Sequence, residues 1–173
     1  MADLASKEWA LRALSPVLYG PRVKILPGLD FMLAYNTGGA FSIFHDQPWL
    51  ITTGSALITV GIAIWCALFI RRHEPDVPSA RLAFGLILGG AVGNLIDRVR
   101  FQYVVDFIHA YVRIGDSEYA WPTFNVADMA IVCGIGIFLF LSLFTNKLEP
   151  ARAESAEKKE SETPPEKLDE QVG

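Results

Sequence analysis

Two aspartates, Asp106 in YVVDFI and Asp128 in FNVADM, are the residues of this chain best suited to chemistry. Each lies in or beside an apolar stretch, where a carboxylate is costly to keep and a functional reason is the default. Two carboxylates brought together at low dielectric cannot both ionise cheaply, so one proton is shared and their titrations separate. The ionised partner activates water, and the protonated one donates to a carbonyl oxygen or a leaving amine. The sequence permits this meeting without requiring it. Structural roles stand beside the chemical one. Asn125 and Asp128 have the spacing of a helix cap and an acid at the positive end of the dipole, and Asp106 reads equally as a loop acid paired with Arg98 or Arg113.

Other polar groups accompany the aspartates. Asn36 in NTGGAF, Asn94 and Asn125 are able to orient a peptide or a carboxylate, although Asn36 also suits a turn and Asn94 a helix–helix hydrogen bond. Gly89, Gly90 and Gly93 read as close helix packing rather than a phosphate loop, because no P-loop lysine follows. Arg98 beside Asp97 reads as a structural ion pair. His45, His73 and His109 have no ligand or triad spacing, and Cys66 and Cys133 read as small buried apolar residues. No metal site and no acyl-enzyme constellation is expected.

The elements that must position these groups are membrane-grade. Of 173 residues, 51% are hydrophobic despite a charged tail, so the body is unusually apolar. The tail carries eight acids against five bases and accounts for most of the net charge of −4. No basic patch with interleaved aromatics supports nucleic-acid binding. Trp49 to Ile70 meets the length needed to cross about 30 Å of hydrocarbon. Arg81 to Asp97 encloses only 15 uncharged residues, about 22 Å of helix, and Met129 to Phe144 gives about 24 Å. Both short spans therefore draw polar residues into one end. Since successive spans alternate direction, those ends share a side, and the segment between them closes over a common polar site. Positive charge is divided between both sides and does not decide orientation.

NTGGAF, GGAVGNLIDR, VVDFI and FNVAD, in this order and spacing, resemble the signature blocks of the lipoprotein signal peptidases (signal peptidase II), and DLASK resembles that family's acid-xxx-lysine element at the end of its first helix. The resemblance implies a bacterial inner-membrane aspartyl endopeptidase that cuts prolipoproteins on the amino side of a diacylglyceryl-modified cysteine. It implies Asp106 and Asp128 as the catalytic pair, with Asn36, Asn94, Arg98, Asn125, Asp3 and Lys7 supporting the site. The implied fold is mainly α, a polytopic four-helix transmembrane bundle with its first helix incomplete here, plus a small extracytoplasmic β-cradle. The active site would face the extracytoplasmic side. No cofactor is expected, the partners are the lipidated substrate and the bilayer, and the enzyme is expected to be a monomer. Without the resemblance, a small transporter or channel, or a non-catalytic assembly protein, fits the same residues.

The expected organisation is a first-helix remnant at 1–14, a cradle loop at 15–48, spans at 49–70 and 80–97 joined by a cytoplasmic loop at 71–79, an external loop with strand and lid at 98–123, a span at 124–145, and a disordered cytoplasmic tail at 146–173. Three departures from the family pattern stand out. Gln102 replaces a usual glycine before VVDF, Gly39 and Met129 replace alanine and serine, and DLASK opens almost at Met1. Upstream coding sequence is expected to supply the missing part of the first helix.

Overall fold

The computed structural model describes residues 1–14, 22–38, 47–72 and 78–144. The tail, Gly39, His45 and His73 lie outside the described residues. Three helices, α2 (Pro48–Arg72), α3 (Pro78–Phe101) and α4 (Val126–Phe144), are long and apolar enough to cross a membrane. α3 continues one turn beyond Asp97, so Arg98 and Arg100 occupy its last turn, where cations complement the helix dipole. The remaining helix, α1 (Ala2–Ala13), is 12 residues long and falls well short of a span.

α3 is the central helix. A share of 39% of its span is covered by protein, against 11% for α2 and 17% for α4, because the other two both pack on it. Leu57, Ile58, Val132 and Leu143 stay exposed, as hydrocarbon-facing side chains should. Glycines set how closely α3 and α4 approach: a Cβ at Gly90 would run into the Ala127 carbonyl, and one at Gly134 would lie 2.6 Å from the Ala83 carbonyl oxygen. Gly89 has open space around it and does not serve the packing expected of it. At the far end, Cys66, Ala80, Phe84 and Leu141 fasten α2 to the pair, with Trp65, Phe69 and Phe138 in edge contacts around them. Cys133, expected buried, is exposed on α4.

Four antiparallel strands lie in the order β1 (Val23–Leu26), β2 (Leu29–Asn36), β3 (Val104–Ile114) and β4 (Ser117–Ala120). Pro27-Gly28 turns β1 into β2, with Gly28 at φ +85° where only glycine is comfortable. Gly115-Asp116 turns β3 into β4, so much of the stretch expected at 98–123 as a loop with strand and lid is a β-hairpin. α1 lies against this sheet. Its Ala10 and Leu14 join Leu33, Val105 and Phe107 in a second buried cluster, while Trp9 meets Phe31 and Phe107 edge-on. The sheet is thereby tied to the same end of the bundle that carries the polar residues.

Candidate active site

The start of α4 is built as a capping box. Asn125 Oδ1 accepts the Asp128 N–H at 3.0 Å, and Asp128 Oδ2 accepts the Asn125 N–H at 3.1 Å. The capping reading of these two residues is therefore correct. It also leaves Asp128 Oδ1 and the Asn125 amide free to face the bundle. Asn94, from α3, donates to Asp128 Oδ1 at 2.8 Å. The Asn125 amide donates to Asp106 Oδ1 at 2.6 Å and to Asn94 Oδ1 at 3.1 Å. From β2, Asn36 donates to the other Asp106 oxygen at 3.0 Å, and its own Oδ1 accepts the Gly38 N–H. The two aspartates thus hang on one asparagine network, close enough for the charge of Asp128 to act on Asp106.

Asp106 is buried in β3, and that burial pushes its pKa up to about 6. Hydrogen bonds from Asn36 and Asn125 oppose the shift, and the charge of Asp128 adds to it. Neither expected ion pair of Asp106 forms: Arg113 binds Glu118 through two nitrogens instead. Arg98 sits within electrostatic reach of Asp106, Asp128 and Asp97, and its guanidinium lies beside Gly38.

Lys7 occupies the floor of the site and is 2% exposed. Its ammonium donates to Asn94 Oδ1 at 2.9 Å and forms ion pairs with Asp3 Oδ2 and Asp97 Oδ2, each at 3.0 Å. Asp97 is therefore the partner of Lys7, and its Oδ2 also accepts the Val105 N–H at 3.0 Å. The pairing expected between Asp97 and Arg98 is replaced by this one. Asp3 Oδ1 accepts the Ala127 N–H, so α1 is bonded to the first turn of α4. Gly93 makes room for it, since a Cβ there would sit 2.6 Å from Asp3 Oδ2. All eight residues singled out in the sequence lie around this one centre.

A cleft of about 400 Å³ opens beside Asp128, lined by Trp121, Phe124, Met129, Val132 and Cys133. Sequence reading did not assign Trp121, although an aromatic next to the helix-stopping Pro122 was visible. Among the described residues, no group of three His, Cys, Asp or Glu side chains could hold a metal. The chemistry on offer is general acid–base work by two carboxylates, one of which, Asp128, lines an apolar cleft.

Residues 1–144 match the family model described as signal peptidase (SPase) II. A lipoprotein signal peptidase of Shewanella piezotolerans is 36% identical over 151 residues, covering 85% of this chain and 82% of its own. One from Coxiella burnetii is 38% identical, covering 87% and 88%. Two solved bacterial membrane enzymes, determined by the in meso method, superpose with TM-scores of 0.64 and 0.62 at 26% identity; they cover 83% and 94% of this chain and 86% and 88% of theirs.

Proposed function

Since this chain belongs to the signal peptidase II family of aspartic peptidases, multi-pass bacterial membrane enzymes that remove signal peptides from prolipoproteins, we propose that Asp106 and Asp128 are its catalytic pair. The observation that carries this reading is the shared Asn125–Asn94 network, which gives the two carboxylates one set of donors in a buried place. Asp106, whose pKa lies near 6, holds the shared proton; Asp128 takes a proton from the attacking water. The protonated Asp106 donates to the scissile carbonyl oxygen, and the proton gained by Asp128 goes to the leaving amine. Asn36, Asn94 and Asn125 fix the two carboxyl groups. Arg98 balances their charge and orients the substrate chain. Asp3 and Lys7 hold α1, α3 and α4 in register beneath them.

The substrate is cut on the amino side of a diacylglyceryl-modified cysteine. The spans α3 and α4 bring their polar ends together, and the sheet lies at that end. This supports a site at the extracytoplasmic surface of the inner membrane, where a lipid-anchored peptide presents its scissile bond while its acyl chains stay in the bilayer. The enzyme works as a monomer. Purified protein, given a diacylglyceryl-prolipoprotein in mixed micelles, should release the signal peptide. Asp106→Asn and Asp128→Asn should each lose about 10²–10⁴-fold in kcat at normal protein level. Near wild-type turnover by either variant overturns the assignment.

A further inference from the structure

The outer half of the sheet buries a second set of titratable groups that the proposed chemistry does not use. Asp30 of β2 and His109 of β3 stand directly opposite each other, and both are 4% exposed. Asp30 Oδ1 and both ring nitrogens of His109 have no hydrogen-bond partner. Buried polar atoms are rarely left this way, and three of them meet here. His109 Nε2 lies 4.0 Å from Glu118 Oε1 of β4, and the ring stacks on Tyr111. The other charged groups nearby are Lys24, opposite Asp30 on β1, and Arg22 and Arg113, which both bind Glu118. A neutral imidazole has one donor to offer, whereas an imidazolium has two, matching the two carboxylates that flank it.

The position matters because of what lies along the same strands. Between Phe31↔Ile108 and Ala34↔Asp106 the register shifts, so β2 carries one extra residue in that interval. Asn36 reaches Asp106 only with the pairing beyond this irregularity as it stands. A slip of one residue would carry Asn36 about 3.3 Å along and turn it to the other face. The Asp30↔His109 pair is the anchor on the far side of the irregularity. We propose that His109 is a positioning residue: protonated, it bridges Asp30 and Glu118, clasps β2, β3 and β4, and so holds Asn36 on Asp106. The clasp stands on its own geometry; its effect on turnover rests on Asp106 being catalytic.

The sign follows from the proton. A clasp made by the charged imidazole is complete at low pH and is lost at high pH, where the imidazole has given up its proton. The test compares wild type with His109→Gln and Asp30→Asn in detergent, by thermal unfolding and by kcat on the lipidated substrate, at pH 5.5 and 8.5. The Tm gap between wild type and each variant should be several degrees larger at pH 5.5. The wild-type to variant kcat ratio should grow at least about threefold there, with KM unmoved, since the geometry served is that of the chemical step. A Tm gap equal at both pH values, or larger at 8.5, overturns the clasp. A pH-dependent Tm gap with a flat kcat ratio overturns the positioning role. If His109→Gln yields no folded protein, the same readings on Asp30→Asn decide. Failure of the dyad reading is separately visible, because an active Asp106→Asn enzyme would leave the Tm result untouched.

Discussion

Asn125 and Asp128 cap each other reciprocally, and the same Asn125 amide donates to Asp106 at 2.6 Å. One residue therefore ends a helix and joins two carboxylates. Asn125→Ala removes the cap and takes the Asn125 donor from Asp106 Oδ1 and the Val105 carbonyl, while Asn94 Oδ1 keeps only Lys7. The expected cost is about 1–2 kcal/mol from the cap and more from the stranded acceptors. Turnover should fall further than stability alone explains. Asn125→Asp is the informative companion, because it keeps the cap oxygen and replaces the donor with a third carboxylate. Its Tm should stay closer to wild type than the alanine variant's while its kcat drops at least as far.

The charge of Lys7 is buried against two acids, and its removal is not a surface event. Lys7→Met leaves Asp3 and Asp97 uncompensated beside Asp106 and Asp128. Breaking such a buried network from one side typically costs about 3–5 kcal/mol. Thermal unfolding should show a large loss, and folded yield should fall before any rate can be read. Asp97→Asn is milder, since an amide oxygen can still accept the Val105 N–H. It should lower folded yield while the surviving enzyme keeps kcat within about threefold of wild type.

Burial of Asp106 makes stability depend on pH in a definite direction. Its pKa is raised to about 6 in the folded protein, so the folded state binds the proton more tightly than the unfolded chain does. Its protonated form is favoured by folding, and stability contributed there is lost as pH climbs from about 4 through about 6. The loss attributable to this group is at most about 3 kcal/mol. Unfolding curves for wild type and Asp106→Asn, taken from pH 4 to 7.5, should converge or diverge by this slope alone, with wild type losing ground as pH rises. Parallel curves would remove Asp106 as the cause. Activity should fall as pH climbs through about 6, because Asp106 then gives up the proton it donates to the scissile carbonyl oxygen.

Much of this site was legible because membrane insertion makes polar residues conspicuous. Asn94 and Asp128 stood out as interruptions of short apolar spans, and the meeting of their ends followed from alternation of crossings. What the sequence hid was partner choice. Asp97 and Arg98 are adjacent, but consecutive helical positions point about 100° apart and do not face each other. Asp97 instead turns to Lys7, ninety positions away in the chain, a contact that no periodicity announces. The length of β3 and its pairing with β4 were also hidden, although Gly115-Asp116 between strand-forming residues is a hairpin signal. The packing glycines were only partly separable, since Gly89, Gly90 and Gly93 look alike until the face toward α4 is known.

That glycine face gives a paired test. A Cβ at Gly90 would collide with the Ala127 carbonyl and press on Ile131, whereas one at Gly89 would meet nothing within 4 Å. Gly90→Ala must push α3 and α4 apart directly beneath Asp128 and should cost about 1–3 kcal/mol, with a disproportionate loss of activity. Gly89→Ala should be neutral or slightly stabilising. Equal effects of the two substitutions on Tm would contradict this packing.

Gln102 is the last residue whose conformation makes a sharp prediction. It follows α3 with φ 65°, the left-handed region in which a Cβ is disfavoured, and it is the residue that turns the chain from the helix into β3. Its N–H and its side-chain amide both return to the Arg98 carbonyl, at 3.0 and 3.1 Å, which offsets part of the strain. Gln102→Gly removes the strain and keeps the backbone bond. The gain should be about 1 kcal/mol, reduced by the lost side-chain bond and by the freedom glycine adds to the unfolded chain. Tm should therefore rise by a few degrees with kcat unchanged, because the turn's path, and with it the placement of Asp106 four residues on, is the same. Gln102→Val, which keeps the Cβ, adds branching and loses the amide, should move Tm the other way. A glycine variant less stable than wild type would show that the Arg98 carbonyl contact, rather than the backbone angle, governs this turn.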